Sequence, residues 1–529
     1  MHVVVEAFAD IHRALRTGLG TASARVPSTM AVGLALSKSD VVAGLRCARL
    51  LWLSRHRPDE AATPDANALR RLQQGNEVGV VARERFPGGV RIPGGPADPE
   101  RALRETCEAL ASDAPALFEA CFEHDGVRVF VDVLERDPDH PGAWRLIEVK
   151  ASTRLKTPRH LQDVAVQAFA LRGSGVRLTA AFVLHIDRSF VAPDQGDLLA
   201  LEDVTREIAR IDVRGAVRDL RAVVARDEEP DVPIGSHCGN PYACPFKARC
   251  WSRYDPPTVF DVPKGIHPTR RKKLIARGRV RLRDLRDDDE LSASERAAVK
   301  LVRDEEVRID RTELRRRLDR LRFPLHFLDF EAIDFVVPRT PGTRPYQQLP
   351  FQFSCHVVPE DAVGEDGRID ADRIEHREYL HTTPDDPRPA FAQALVEALN
   401  DTGSIVAFHA DYERLRMQEL AEAVPQHAGA LHAAIGRLWD QEPIFREVWR
   451  DHRFGARSSI KVVLPVLCPD LSYDGMPVAS GTEAMAAWDA AVHGEDPDPA
   501  ATFDALRAYC EQDTWAMVRI HERLTAEAS

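Results

Sequence analysis

Apolar and polar positions along the 529-residue chain change period several times, and each change predicts an element. Val41, Leu45 and Leu50 recur at helical spacing behind two candidate caps, Ser37 and Ser39, so 34–56 reads as a short polar start followed by a helix. Helical spacing continues through 65–85 and 100–121. The period then drops to two. Val127, Val129 and Val131 alternate as in a strand, and Leu146 to Val149 read as a second strand. Asp137-Pro138-Asp139-His140-Pro141-Gly142 between them reads as a hairpin-like connection. A helix is expected over 159–172, a buried strand over 178–186 and an amphipathic helix over 202–226. After Cys250, Asp255-Pro256-Pro257 breaks any regular element, and 290–322 is densely charged and helix-favouring. At Pro324 a new apolar strand begins, Leu325 to Glu331, and a second mixture of strands and helices runs to a closing helix near 502–524. The fold class is α/β, without internal repeats.

Composition narrows this. With 44% apolar and 29% charged residues the chain suits a globular protein, and at roughly 150 residues per domain its length allows about three or four domain-sized units. The net charge of −12 argues against a nucleic-acid binder, whose footprint is usually basic, except that net charge averages over sites of opposite sign. No apolar run is long enough for a membrane span and no secretory pattern opens the chain, so a cytoplasmic protein without a membrane partner is expected. Residues 1–33 read as an N-terminal extension, with Met30 as an alternative start. Nine cysteines are too few for a secreted disulfide scaffold.

Three constellations carry chemistry. In the first, Asp132 is expected to end one strand, while Glu148 and Lys150 share one face of the next. Two carboxylates on adjacent strands suit Mg²⁺ or Mn²⁺, and the lysine suits orienting water or stabilising phosphate charge. The alternative is a solvated strand face. In the second, Cys238, Cys244 and Cys250 follow one another at even spacing, with Cys47 far upstream. Four thiolates suit an iron–sulfur cluster, with tetrahedral zinc as the alternative. Cys107, Cys121, Cys355, Cys468 and Cys510 read as core residues. In the third, Asp329 and Glu331 share one face of an apolar strand. Burying two like charges is costly unless a cation compensates. Residues 270–286 hold nine Lys/Arg against one acid. Arg270, Arg271, Lys272 and Lys273 there fit contact with a nucleic-acid backbone or, equally, a solvated helix face.

These motifs resemble known families. Asp132, Glu148 and Lys150 resemble the PD-(D/E)xK nucleases, which implies a metal-side role for Glu119, expected on the helix before the first strand, and a RecB-like role for Gln167. Leu171 departs from the tyrosine usual in that motif, and Gly75-Asn-Glu-Val-Gly79 lacks the family's histidine. The four cysteines resemble the iron–sulfur exonucleases of the RecB-like type. Asp329-x-Glu331, Glu413 and Tyr509-x3-Asp513 resemble the three motifs of DEDDy 3′–5′ exonucleases. His409 and Glu413 depart from that pattern, and Asp411 is the alternative ligand. The resemblance implies that Asp329, Glu331, Glu413 and Asp513 hold two metals and that Tyr509 positions the attacking water. Leu36-Ser-Lys-Ser39, Arg344 to Ser354, and Ser458-Ser-Ile-Lys461 with Pro465 are similar to a prokaryotic two-domain family, domain of unknown function 2779. The resemblance implies a PD-(D/E)xK restriction-endonuclease-like domain over 34–253, a basic helical linker over 254–323 and an RNase H-like domain over 324–529. The expected function is metal-dependent phosphodiester hydrolysis, foremost as a DNA exonuclease, with Lys461 as a further substrate contact. A nucleic-acid scaffold with degenerate sites, a ribonuclease and a zinc-stabilised interaction protein are the alternatives.

Overall fold

The computed structural model describes residues 35–364 and 367–529. The expected extension 1–33, with Met30, lies outside the described residues. The protein is mixed α/β and is built around two larger sheets.

In the first sheet, β2 (Val90–Arg91), β3 (Ala116–His124), β4 (Val127–Arg136), β5 (Trp144–Lys150), β6 (Leu178–Ile186) and β7 (Leu199–Asp203) lie in that order, and β1 (Leu36–Ser37) pairs with β4. β3, β4 and β5 are antiparallel neighbours, whereas β5 and β6 run parallel. A parallel pair needs a crossover, here supplied by a helix. Helices α1 (Lys38–Arg46), α2 (Ala48–His56), α3 (Ala66–Glu84), α4 (Pro99–Leu110), α5 (Arg159–Gly173, the crossover) and α6 (Val213–Val224) flank this sheet. Ser37 and Asp40 form a capping box that starts α1. Extended backbone at Cys47, φ −164°, separates α1 from α2, so the single helix expected over 34–56 is two.

Both faces of the sheet are covered, and its strands change face midway. Ala116, Phe118 and Val133 pack on one side, while Ala120, Phe122, Val129 and Val131 pack on the other. Residues two apart should share a face, so the phase slips at Glu119, whose φ is +57°. This corrects two expectations. Glu119 lies on a strand, because α4 ends at Leu110 and pairing with β4 overrides the helix-favouring composition of 116–121. Asp132 lies within β4, opposite that irregularity, and does not end the strand. The segment 202–226 also differs: β7 takes its start, and a short helical turn, Thr205–Ile208, precedes α6.

The connecting region holds α7 (Pro268–Ala276), α8 (Ala293–Arg303), β8 (Val307–Ile309) and α9 (Arg311–Leu318). The second sheet has β9 (Leu325–Ile333) at its centre, in the order β11 (Glu375–Leu380), β10 (Leu349–Val358), β9, β12 (Ser404–Ala407), β13 (Leu438–Asp440). β9 is antiparallel to β10 and parallel to β12. β14 (Trp449–Asp451) pairs with β8. Helices α10 (Arg388–Leu399), α11 (Asp411–Ala423), α12 (Ile460–Leu467), α13 (Gly481–Val492) and the 30-residue α14 (Pro499–Ala528) surround it. Phe351 and Phe353 on β10, and Phe327 and Phe330 on β9, fill the core. The two sheet regions touch through Arg70, which donates to Asp334 Oδ1 at 2.5 Å, and through Tyr346, whose hydroxyl donates to the Ala151 carbonyl.

Candidate functional site

On the first sheet, Glu148 is buried among donors. Its Oε1 accepts from Lys38 Nζ at 2.8 Å and Lys150 Nζ at 2.7 Å, and its Oε2 accepts from Gln167 Nε2 at 2.5 Å. Lys150 also reaches Asp163 Oδ2 at 2.5 Å. Burial works against the Glu148 charge, but Lys150 and Lys38 outweigh it and hold this carboxyl well below its ordinary range. Burial likewise opposes the charge on Lys150, and Glu148 and Asp163 raise it above the ordinary lysine value. Asp132 behaves oppositely. Burial, then the neighbouring Glu148, push it up to about 7, although Val149 N–H donates to its Oδ2 at 2.8 Å. Glu119 faces Asp132 across β3 and β4, and Arg83 of α3 lies near both. The sequence-derived group Asp132, Glu148, Lys150, Gln167 and Glu119 is thus brought together. Lys38 and Asp163 were missed. Lys38 follows a helix cap, and Asp163 stands one turn before Gln167, so both carried only weak signals.

The four expected cysteines also meet. Cys47, Cys238, Cys244 and Cys250 line one small cavity with His237. His237 hydrogen-bonds both Cys47 and Cys238. Burial raises the Cys238 thiol, yet the His237 hydrogen bond and others bring it down to about 7, and those same thiols push His237 up to about 9. Arg46 donates to the carbonyls of His237 (2.8 Å) and Tyr242 (2.7 Å), and Trp52 Nε1 donates to the carbonyl of Arg226 at 2.9 Å. These bonds bind α1 and α2 to the far end of the first sheet region. Of the remaining cysteines, Cys121, Cys355, Cys468 and Cys510 are buried as expected, whereas Cys107 is exposed on α4, which corrects its core assignment.

On the second sheet the acids converge with little compensation. Asp329, Glu331 and Asp513 each offer an oxygen within 4.8 Å of the others. At an effective dielectric constant of about 20, two like charges about 5 Å apart repel by about 3 kcal/mol. Burial first, then Asp513, pushes the Glu331 carboxyl up to about 8. Burial and the neighbouring carboxylates likewise raise Asp329 well above its ordinary value. Glu413 projects from the start of α11, is buried, and has one oxygen without a hydrogen-bond partner among the described residues; burial, then Asp440, push it up to about 8. Asp411 is exposed and pairs with Arg414 at 3.4 Å, so Glu413 and not Asp411 faces the cluster. His409 adopts φ +71° and its backbone N–H donates to Asp440 Oδ1 at 3.0 Å.

Two tyrosines and a lysine border these acids. Tyr473 donates its hydroxyl proton to Asp513 Oδ1 at 2.5 Å, and Tyr509 also hydrogen-bonds Asp513. Lys461 Nζ donates to the Ala479 carbonyl at 2.5 Å and to Tyr509 Oη at 3.3 Å, and lies 5.0 Å from the centroid of Tyr473. Tyr473 was missed because it sits in a turn-rich segment without periodic signal. Glu331 approaches the N-terminus of α13, where a Cβ on Gly481 would stand 3.2 Å from its Oε2. The amide end of a helix favours a nearby anion, and glycine permits the approach.

The basic segment is less free than its composition implies. Arg270 pairs with Glu295 at 2.9 Å, Lys273 with Glu290 at 2.7 Å, and Arg279 with Asp289. Arg271 lies over the Phe260 ring at 4.6 Å. Lys272 neighbours them on α7, whose exposed side holds this cluster. Among the described residues no helix is long and apolar enough to cross a membrane.

No curated protein matches the chain. A solved structure titled "Crystal structure of SSO0001" is similar to it at 14% identity, covering 46% of this chain and 95% of that one, with a TM-score of 0.21. At those values the likeness transfers neither fold nor function. Residues 326–459, which include Asp329, Glu331 and Glu413, match the family described as Domain of unknown function (DUF2779).

Proposed function

We propose that the protein is a metal-dependent nuclease, a DNA exonuclease, with two candidate centres on a PD-(D/E)xK-like and an RNase H-like domain. The observation that carries this reading is the group Asp329, Glu331 and Asp513, with Glu413 beside it: buried and half-buried carboxylates whose mutual repulsion Lys461 offsets in part and protonation or a cation would relieve further. These residues fit Mg²⁺ or Mn²⁺, since all donors are carboxylate oxygens and one Glu413 oxygen lacks a hydrogen-bond partner among the described residues. Bound there, such ions supply Lewis acidity to the attacking and leaving oxygens of a phosphodiester. The chain's own residues do the rest. Tyr473 fixes the rotamer of Asp513 by donating its proton. Tyr509, held by Lys461, orients the attacking water, and Lys461 offers positive charge to a phosphate. The four cysteines suit a four-iron four-sulfur cluster, which would tie together segments about 190 residues apart, with zinc as the second reading.

A second reading, a nucleic-acid scaffold whose first centre is degenerate, draws on Glu148, whose oxygens are already taken by Lys38, Lys150 and Gln167. The test incubates the purified chain with end-labelled DNA and RNA, single- and double-stranded, with Mg²⁺, Mn²⁺ or chelator. Lys150→Ala and Asp329→Ala run beside wild type. Metal-dependent loss of DNA from an end, abolished by Asp329→Ala, is the expected result. Cleavage of RNA alone selects a ribonuclease, and no cleavage of any polymer rejects the enzyme. Anaerobic purification is expected to yield brown protein; colourless protein with stoichiometric zinc rejects the cluster.

A further inference from the structure

A second group of ligand atoms lies on the same sheet, outside the acid centre. His356 on β10 and His376 on β11 are direct cross-strand partners, and Glu511 reaches them from α14. One atom from each lies within 4.8 Å of the other two. The rings stack with centroids 4.6 Å apart and 27° between planes. His376 Nδ1 is 3.8 Å from Glu511 Oε1.

The remaining ring nitrogens are already engaged. His356 Nδ1 hydrogen-bonds Thr514 Oγ1 at 2.9 Å, His376 Nε2 hydrogen-bonds Ser354 Oγ at 2.9 Å, and the two hydroxyls bond each other at 2.7 Å. His356 Nε2 and His376 Nδ1 are therefore the nitrogens left to face Glu511. Metal-binding histidines commonly have the second nitrogen fixed in this way, which sets tautomer and ring orientation. His356, Glu511, Gln512 and Trp515 border an open depression, so solvent reaches the group.

We propose that His356, His376 and Glu511 bind a divalent transition metal of the zinc class, leaving an open coordination position toward that depression. Two imidazoles and one carboxylate suit Zn²⁺ or Co²⁺, whereas the all-carboxylate acid centre suits Mg²⁺ or Mn²⁺. Ligands about 2 Å from a tetrahedral ion stand roughly 3.4 Å apart, so closing the set takes a shift of order 1 Å and a tilt of the stacked rings about the hydrogen bonds that hold their second nitrogens. The metal clamps β10, β11 and α14 together. These elements also form the wall of the acid centre: Ser354 pairs with Asp329 across β10 and β9, and Thr514 follows Asp513. The site is independent of the nuclease reading and survives if no polymer is cleaved.

The test uses the full chain, stripped with chelator and titrated with Co²⁺, reading equivalents bound and the visible d–d bands of a tetrahedral ion. His376→Ala and Glu511→Gln alter partly exposed side chains, and circular dichroism checks that each is folded. Both are expected to bind one equivalent fewer than wild type and to lose the corresponding bands, while Asp329→Asn keeps them. Ser354→Ala, which changes a positioning residue, weakens that equivalent by roughly 10–100-fold. Should one variant fail to fold, the other decides. Unchanged stoichiometry and spectrum in a folded His376→Ala or Glu511→Gln protein overturns the site.

Discussion

The two acid-bearing sheets solve the same electrostatic problem in opposite ways. On the first, Glu148 is surrounded by the chain's own donors, Lys38, Lys150 and Gln167, so its charge is matched internally. On the second, Asp329, Glu331, Asp513 and Glu413 face one another, and among the described residues Lys461 bears on the first three and Arg416 on Glu413, so their charge is matched only in part. A cation at the first centre must displace a lysine, whereas at the second it replaces repulsion by attraction. Shared residue types therefore do not imply shared dependence on metal.

The contrast breaks most visibly in stability. Lys150→Met strands Asp163 and half of the compensation of Glu148, and is expected to cost about 3 kcal/mol, the lower end for a broken buried pair because Lys38 remains. Urea unfolding measures it, and a neutral result removes the internally matched centre. Adding Mn²⁺ at about 100 times its dissociation constant is expected to raise the stability of chelator-stripped wild type by about 2.7 kcal/mol. In Asp329→Asn that gain should shrink sharply. Without metal, Asp329→Asn is expected to be more stable than wild type by about 1–3 kcal/mol, since asparagine needs neither the proton nor the buried charge that folding imposes on Asp329. A loss of stability there contradicts the frustrated acid cluster.

Acidity sharpens the comparison further. Glu331 and Glu413, raised from the ordinary 4.5 to about 8, keep protons in the folded state that the unfolded chain has released. Their contribution to metal-free stability is present below pH 4.5 and is lost as pH rises to about 8. Glu148, held low, contributes in the opposite sense: its stabilisation is present above its ordinary value and is lost as pH falls. Glu331→Gln should flatten the decline in thermal midpoint between pH 4.5 and about 8; an unchanged slope there would sink the assignment. The smallest effect is expected of Gly481→Ala. Its Cβ would crowd Glu331 Oε2, but Gly481 is the first residue of α13, where alanine is readily accommodated, so stability changes little while cation affinity falls several-fold.

Legibility in the sequence followed how local each signal was. Asp329 and Glu331 stood out because charge interrupts an apolar strand, and Glu148 with Lys150 because period two aligns them. The cysteines were readable from their segment. Lys38 and Asp163 were not, since a lysine after a cap and an acid on a helix usually face water; their partners lie 110 and 13 residues away. Glu119 was misplaced because helix-favouring residues follow a helix, and only pairing with β4 shows the strand and its phase slip. The basic run 270–286 suggested free positive charge, but Glu290, Glu295 and Asp289 neutralise much of it from 10 to 25 residues downstream.

The most direct test of the account is Mn²⁺ binding to the chelator-stripped chain, followed by electron paramagnetic resonance, in wild type, Asp329→Asn and Glu148→Gln. The account predicts that Asp329→Asn loses the tightest bound Mn²⁺ while Glu148→Gln retains it. Equal binding by Asp329→Asn and wild type would contradict it.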